Sequence, residues 1–198
     1  MGSTDDETGP PGDLFLLLPS AFFLLHFQAV DEPIIDLHSD VHFMGEALRQ
    51  AAQAFEAEEV PVGAVIVREG RIIARAWNQV ELLKDATAHA EMLALTQAQE
   101  AVGDWRLTDC TLYVTKEPCP MCAGAMVHTR LTRVVFGVGD PKGGAAGGAL
   151  NLLQFPTLNH RCDITADVRL EECRALLQSF FAKQRLKKKP VVNKPGKN

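Results

Sequence analysis

Residues 111–138, TLYVTKEPCPMCAGAMVHTRLTRVVFGV, place a short helical segment between two strand-like runs. Thr111 to Thr115 and Arg133 to Val138 are rich in β-branched residues and predict strands, whereas the Ala- and Met-rich segment from about Cys119 to His128 predicts a helix. Strands joined through a helical crossover pair in parallel. This stretch therefore predicts an α/β protein in which part of the sheet is parallel and covered on both faces.

Further elements lie on either side of this stretch. Met44, Leu48 and Phe55 recur at helical spacing and predict an amphipathic first helix that ends before the turn at Glu59 to Pro61. The other predicted elements are a hairpin formed by Val62 to Val67 and Arg71 to Trp77, a helix from about His89 to Ala101, and a last helix from about Arg169 to Arg185.

Charge is unevenly distributed along the 198 residues. The net charge is −5, but residues 1–43 hold eight of the 25 acids and none of the 20 bases, which leaves residues 44–198 at +3. From Lys183 to the end the chain carries seven bases and no acid. Such a tail is typical of a nucleic-acid-facing segment and equally of a solvated, disordered one, so charge alone does not separate the two.

The N-terminal segment differs in composition from the rest. Its apolar run Leu14 to Phe27 is only 14 residues long, contains Pro19 and follows acids instead of bases, so it predicts neither a membrane-spanning helix nor a signal peptide. We predict an extension over 1–39, a folded domain over 40–186 and a basic tail over 187–198, and hypothesise that translation starts at Met44. Five cysteines, an odd number, argue against a disulfide framework and favour a cytoplasmic protein.

Two short motifs carry the candidate chemistry: His89-Ala90-Glu91 and Pro118-Cys119-Pro120-Met121-Cys122. Cysteines three residues apart lie on one side of a helix turn and either bind a metal ion or form a redox pair, and the pair alone favours neither. A thioredoxin-like pair follows the first strand of its fold, whereas this pair opens a late helix. The position therefore favours a metal site.

Cys119, Cys122 and His89 supply two thiolates and one imidazole. Zinc prefers such ligands in tetrahedral geometry, and a centre with three protein ligands keeps its fourth position for water, as catalytic zinc sites do. Residues two apart point about 200° away from each other in a regular helix, so His89 and Glu91 must lie at a helix start, for which Thr87 is the expected N-cap.

Glu91 is the carboxylate next to this predicted centre. Zinc lowers the pKa of a bound water, so a neighbouring carboxylate takes its proton at neutral pH and delivers it to the substrate. The alternative role of Glu91, an acid that stabilises the first turn of a helix through the helix dipole, leaves the surrounding ligands unexplained.

The Gly-rich segment Asp140 to Leu150 has a different meaning. Its glycines and its single lysine lack the spacing of a P-loop or of a dinucleotide-binding fingerprint, so no nucleotide cofactor is predicted. The glycine content indicates mobile or closely approaching backbone.

With these motifs in place, the sequence resembles the cytidine-deaminase-like superfamily, and more closely the bacterial tRNA-specific adenosine deaminases. The resemblance covers roughly Asp40 to Arg185 and implies a three-layer α/β/α fold with a central mixed sheet of about five strands. It also implies a homodimer with one zinc ion per subunit that converts the wobble adenosine of a tRNA anticodon to inosine. Segments that carry it include Glu59-Val60-Pro61-Val62-Gly63-Ala64-Val65, Trp77-Asn78, Thr87-Ala88-His89-Ala90-Glu91, Glu117-Pro118-Cys119, Asn159-His160-Arg161 and Phe180-Phe181.

By the same resemblance, Asn78 contacts the target nucleoside and Val62 forms an apolar wall beside the flipped base. Single-stranded RNA is held by aromatic stacking and by cations. Alternatively, Asn78 caps a turn after the second strand, and Phe180 and Phe181 pack in the core, where we expect at least one of them. The residues implied to line the path of the anticodon stem-loop are Lys142, His160, Arg161 and Phe181.

Two other functions fit the same scaffold. One is a deaminase of a free base, guanine or cytosine, which has no need of the Asn-His-Arg segment or of the basic tail. The other is a non-catalytic, zinc-stabilised RNA-binding module, against which Glu91 argues.

Overall fold

Residues 36–187 are described by a computed structural model. None of the helices in this range is both long enough and apolar enough to cross a membrane. Leu14 to Phe27 and the bases after Lys187 lie outside the described residues. In chain order, the elements are α1 Asp40–Glu56, β1 Gly63–Arg68, β2 Arg71–Trp77, α2 Val80–Leu83, α3 Ala90–Val102, β3 Cys110–Lys116, α4 Pro120–His128, β4 Arg133–Val138, β5 Asp163–Thr165 and α5 Leu170–Lys187.

The five strands form one mixed sheet in the order β2-β1-β3-β4-β5. β1 pairs antiparallel with β2 and with β3, whereas β3 pairs in parallel with β4 and β4 with β5. Tyr113 of β3 lies opposite Val135 of β4, so the strand-helix-strand stretch forms the predicted parallel pair. The predicted central mixed sheet of five strands is confirmed.

Side chains that alternate along the strands divide the core between the two faces of the sheet. In β1, Ala64 and Ile66 pack in the cluster that contains α3 and α4, whereas Val65 and Val67 pack in the cluster that contains α1 and Cys173 of α5. All four side chains are buried because helices cover both faces. This arrangement gives the three layers.

The start of α1 is fixed by contacts on both sides of the helix terminus. Ser39 is the N-cap, and its side chain accepts a hydrogen bond from the backbone N–H of His42. Phe43 packs on the ring of Tyr113, with ring centroids 5.2 Å apart. The helix therefore begins four residues before Met44, and a chain that started at Met44 would lack its first turn.

Two elements have no counterpart among those predicted from the residue pattern. They are the four-residue helix α2 and the three-residue strand β5. At the other end of the chain, α5 buries Phe180 against Phe55, with ring centroids 6.0 Å apart, and leaves Phe181 45% exposed. One member of the Phe pair is thus in the core, as expected.

Candidate active site

The two motifs meet beyond the carboxyl end of β3, where the N-termini of α3 and α4 converge. His89 is the N-cap of α3 and Cys119 the N-cap of α4, and neither side chain caps its own helix. Cys122 follows in the first turn of α4. The sequence produces this arrangement because Pro120, which lacks an N–H, occupies the first helical position of α4 at no cost in hydrogen bonding.

The side chains of Cys119, Cys122 and His89 form a compact group, the ligand triangle. Each Sγ lies close to the Nδ1 of His89, at 3.6 Å for Cys119 and 3.5 Å for Cys122, and the two sulfurs are 3.6 Å apart. Tetrahedral zinc, with bonds of about 2.3 Å to sulfur and about 2.0 Å to nitrogen, holds such atoms about 3.5–3.8 Å apart. The donor set and its spacing therefore fit a zinc ion.

Hydrogen bonding within the triangle makes one thiol acidic. Hydrogen bonds from Cys122 and His89 lower the pKa of Cys119 to about 3, and the same contact, together with burial, raises the pKa of Cys122. The hydrogen bond to Cys119 raises the pKa of His89. Negative charge on sulfur is also favoured by the positive ends of the two helix dipoles.

Glu91 lies in the first turn of α3 and is 4% exposed. Burial raises the pKa of its carboxyl because the charged form loses hydration, and the nearby His89 partly opposes this effect. A buried carboxyl group whose pKa is raised in this way is suited to act as a general acid and base. The prediction that His89 and Glu91 lie at a helix start holds, but the N-cap is His89 and not Thr87.

The Thr87 expectation is wrong because the hydroxyl of Thr87 donates its hydrogen bond to Asp85 instead. Asp85 also accepts from the backbone N–H of Thr87, which closes a local turn before the helix. The turn leaves the N-cap position to His89, whose imidazole is thereby directed at the two sulfurs.

A cavity of about 290 Å³ opens beside the ligand triangle. This volume is at the lower end of the range for small-molecule sites. Its walls combine three valines with polar and charged side chains, which suits a ligand that has both apolar and hydrogen-bonding surface. The lining residues are Glu59, Val60, Val62, Asn78, Val80, Glu81, His89, Glu91, Lys116, Glu117 and Cys119.

Asn78 and Val62, both predicted to contact the nucleoside, line this cavity. Asn78 is 6% exposed, and its Nδ2 donates to Oε2 of Glu59 at 3.0 Å. The side chain therefore engages a buried acid across the pocket wall and does not cap the turn that follows β2.

Four other predicted substrate residues lie away from the cavity. The backbone N–H of Lys142 bonds to Asp140, and Nε2 of His160 lies 2.7 Å from the carbonyl oxygen of Leu131. The guanidinium of Arg161 donates to the carbonyl of Pro156. Phe181 lines a separate groove between α5 and the end of β4, together with Val138, Arg174, Leu177, Gln178, Ala182 and Arg185.

Residue-based reasoning missed two buried acids at the site, Glu59 and Glu117, which are 1% and 2% exposed. Glu117 accepts hydrogen bonds from the backbone N–H groups of Asp140, Ala146 and Gly148, at 2.7, 2.9 and 2.8 Å. It thus holds the Gly-rich segment against the turn that leads to Cys119. Both acids stand in conspicuous contexts, directly before Val60-Pro61 and Pro118-Cys119, but the sequence does not show what they bond.

Lys116, the last residue of β3, completes this wall. Its ammonium donates to Oδ2 of Asp140 at 2.6 Å, and this ion pair lowers the pKa of Asp140. Oδ1 of Asp140 in turn accepts from the backbone N–H groups of Lys142 and Gly143. The Gly-rich segment is therefore anchored at its first residue as well as by Glu117.

A mixed three-layer fold with two cysteines, one histidine and a buried glutamate at converging helix N-termini defines the deaminase class. Residues 38–185 match the MafB19-like deaminase family. The chain is 51% identical over 150 residues to the tRNA-specific adenosine deaminase of Bacillus subtilis (strain 168), a match that covers 76% of this chain and 93% of the relative. It is 50% identical to the enzyme of the same name from Aquifex aeolicus (strain VF5), with 73% and 95% covered.

Solved structures agree with these relatives. One, from a study of A-to-I editing by tRNA:A34 deaminases at the wobble position, matches with a TM-score of 0.67 and 44% identity, covering 69% of this chain and 99% of that one. A guanine deaminase from Nitrosomonas europaea matches with a TM-score of 0.64 but only 24% identity, over 73% of this chain and 85% of that one, and so shows the fold alone. The chain belongs to the deaminase family and, within it, to the tRNA-specific adenosine deaminases.

Proposed function

We propose that this protein converts adenosine to inosine at the wobble position of a tRNA anticodon, by hydrolysis at a zinc centre held by His89, Cys119 and Cys122. The observation that carries the proposal is the convergence of the ligand triangle and the buried Glu91 on one small cavity. The relatives at 39–51% identity, named tRNA-specific adenosine deaminase, support the same activity.

When bound, zinc supplies a Lewis acid that activates water for attack on carbon. Glu91 performs the proton transfers. Its carboxylate accepts a proton from the attacking water as the new C–O bond forms at C6, and donates that proton to N1 of the adenine ring. Glu91 then transfers the second water-derived proton to the exocyclic amine as the C6–N bond breaks, so that adenosine and water yield inosine and ammonia.

The rest of the cavity holds the base. Val62 provides an apolar wall for the flipped purine, and the amide of Asn78 provides hydrogen bonds to the nucleoside. Both side chains border the same cavity as Glu91, which supports these roles.

We assign the flanking RNA to the surface outside the cavity. Phe181 is 45% exposed beside the two arginines Arg174 and Arg185, a combination suited to bases and phosphates of a single strand. Lys142, His160 and Arg161 are assigned contacts with the anticodon stem-loop in the same way. The basic residues beyond residue 187 add positive charge.

The active protein is, on this proposal, a homodimer in the cytoplasm. Leu150, Phe155 and Leu158 are 43%, 48% and 36% exposed on one short segment, which is the type of apolar surface that a second copy covers. Within residues 36–187 no cysteine forms a disulfide, which supports a reducing compartment.

The decisive experiment incubates the purified protein with an anticodon stem-loop that has adenosine at the wobble position, and separately with free guanine and free cytosine. Inosine in the RNA, measured by mass spectrometry after digestion, is the expected result. Ammonia release from guanine or cytosine alone would replace the proposal with the free-base alternative. RNA binding without any deamination would favour the non-catalytic module.

A further inference from the structure

Glu59 is a buried acid that the proposed chemistry does not use. It lies in the turn after α1, where its backbone N–H donates to the carbonyl of Ala54. Both carboxylate oxygens accept hydrogen bonds from other segments: Oε2 from Nδ2 of Asn78 at 3.0 Å, and Oε1 from the backbone N–H of Leu82 at 2.7 Å. One side chain therefore joins three segments that border the cavity.

The bond to Leu82 replaces a missing helix cap. Gln79, the N-cap of α2, makes no side-chain cap hydrogen bond. Leu82 is the third residue of α2, so its N–H is one of the groups that a helix leaves unpaired at its start. Because Glu59 accepts from this N–H, the same carboxylate fixes both α2 and the amide of Asn78.

The bond to Asn78 sets the orientation of the amide. A carboxylate only accepts hydrogen bonds, so the nitrogen of the amide, and not its oxygen, must face Glu59. Over residues 36–187 no fully buried side-chain nitrogen or oxygen lacks a hydrogen bond. The amide oxygen of Asn78 accepts none from these residues, so it is not fully buried and is left for a ligand in the cavity that Asn78 lines.

We propose that Glu59 is a positioning residue that fixes which end of the Asn78 amide meets the nucleoside. This proposal rests on the proposed function, because it takes Asn78 as a nucleoside contact. In a Glu59→Gln variant, the new amide oxygen accepts from Leu82 and its NH₂ group faces Asn78. The amide of Asn78 then rotates by half a turn, which preserves the hydrogen bonds but exchanges the donor and the acceptor offered to the substrate.

The kinetic test compares Glu59→Gln, Asn78→Ala and the double variant on the anticodon stem-loop. For Glu59→Gln we expect a fall in kcat/KM of about 10- to 100-fold, mostly through KM, with a Tm within about 2 °C of the wild type and an unchanged metal content. Asn78→Ala should lose a similar amount, and the double variant should lie within about threefold of Asn78→Ala, since both changes remove one contact. Glu58→Gln, which removes the same charge from the exposed neighbouring position, should match the wild type.

Wild-type kcat/KM in Glu59→Gln, or losses that multiply in the double variant, would overturn the proposal. An activity-independent readout separates it from the proposed function. In protein labelled with ¹⁵N-asparagine, one side-chain N–H of Asn78 should resonate downfield because of the carboxylate, and that shift should vanish in Glu59→Gln. If the downfield resonance is absent from the wild type, the positioning role falls. If it is present in a protein that leaves the RNA unchanged, the proposed function falls and the positioning of the amide stands.

Discussion

Two clusters of polar side chains in this molecule differ in the partners of their hydrogen-bonding groups. The first, which we call the clamp, joins Asp40 to Tyr113, Arg133 and Thr165. Asp40 accepts from the hydroxyl of Tyr113 at 2.9 Å and from both terminal nitrogens of Arg133 at 2.8 and 2.7 Å, and Arg133 also donates to Thr165. The second is the ligand triangle, whose three donor atoms contact mainly one another.

The helix starts next to the two clusters show the same contrast. At the clamp, Ser39 caps α1 with its side chain. At the triangle, the N-cap residues His89 and Cys119 cap nothing and point their donor atoms at one another. Partial burial of polar groups is therefore common to both clusters, and it is the convergence of the donor atoms of His89, Cys119 and Cys122 on one point that marks the candidate metal centre.

Removal of a ligand should have the largest effect. Cys122→Ala should lower the bound zinc to less than about one tenth per chain and reduce deamination by more than about 10⁴-fold, since two ligands hold zinc weakly. Metal analysis and inosine detection measure both effects. Cys162→Ala, which removes another buried thiol, should retain the metal. Full zinc occupancy in Cys122→Ala would show that the triangle is not the metal site.

The next largest effect is expected for Glu91→Gln. The amide keeps the shape of the side chain but cannot take up a proton, so kcat should fall by about 10²- to 10⁴-fold while zinc is retained. Single-turnover assays on the anticodon stem-loop give the rate. Glu100→Gln, an exposed acid on the same helix, is the matched control. A kcat near that of the wild type would remove Glu91 from the proton-transfer role.

The carboxylate of Glu117 lies beside the ligand triangle and accepts three backbone hydrogen bonds. Its substitution tests whether such a group stabilises the folded state, as the clamp does. Glu117→Gln turns an NH₂ group toward backbone donors, so the free energy of unfolding should fall by about 2–3 kcal/mol. Urea denaturation at pH 7 measures the change. The exposed Glu69→Gln should change stability by less than about 0.5 kcal/mol. Equal stability of Glu117→Gln and the wild type would mean that the Gly-rich segment holds its place without this anchor.

We expect the smallest effect on stability from a substitution in the clamp, and this effect should depend on pH. Hydrogen bonding to Arg133 lowers the pKa of Asp40, so the carboxylate stabilises the folded state at pH values above about 3.9, its ordinary unfolded value. This stabilisation disappears as the pH falls through the lower, folded-state pKa. Asp40→Asn should therefore cost about 1 kcal/mol at pH 7 and progressively less in acid. A gap between wild type and variant that stays constant from pH 7 to pH 3 would contradict this assignment.

The fold was largely predictable where the pattern is long and regular. Four strands and four helices follow from β-branched runs and helical spacing, because alternate burial on a covered sheet leaves a strong signal. β5, with only Asp163–Thr165, and α2, with only Val80–Leu83, are too short to show a period. β5 forms because it pairs with β4, and α2 forms because its backbone donates a hydrogen bond to Glu59. Neither interaction is visible in the local sequence.

The site divides in the same way. The grouping of His89, Cys119 and Cys122 was predictable because a metal site restricts residue type and spacing together. The N-cap was mispredicted because Thr87 has a competing partner in Asp85, and a single hydroxyl carries no sign of which bond it makes. The partners of Glu59 and Glu117 are 19 to 31 residues away in sequence, so only the folded chain reveals them.

The anchoring of the Gly-rich segment has an evolutionary consequence. A Cβ atom added at Gly144 would collide with the carboxylate of Glu117, whereas one added at Gly148 would collide with both that carboxylate and the backbone oxygen of Asp140. We therefore expect Gly144 and Glu117 to vary together, whereas the Asp140 backbone restricts Gly148 whatever residue stands at position 117. In a library randomised at Gly144 and Glu117, functional clones with alanine at Gly144 should carry a shorter residue in place of Glu117, and clones that combine this alanine with Glu117 should not be recovered.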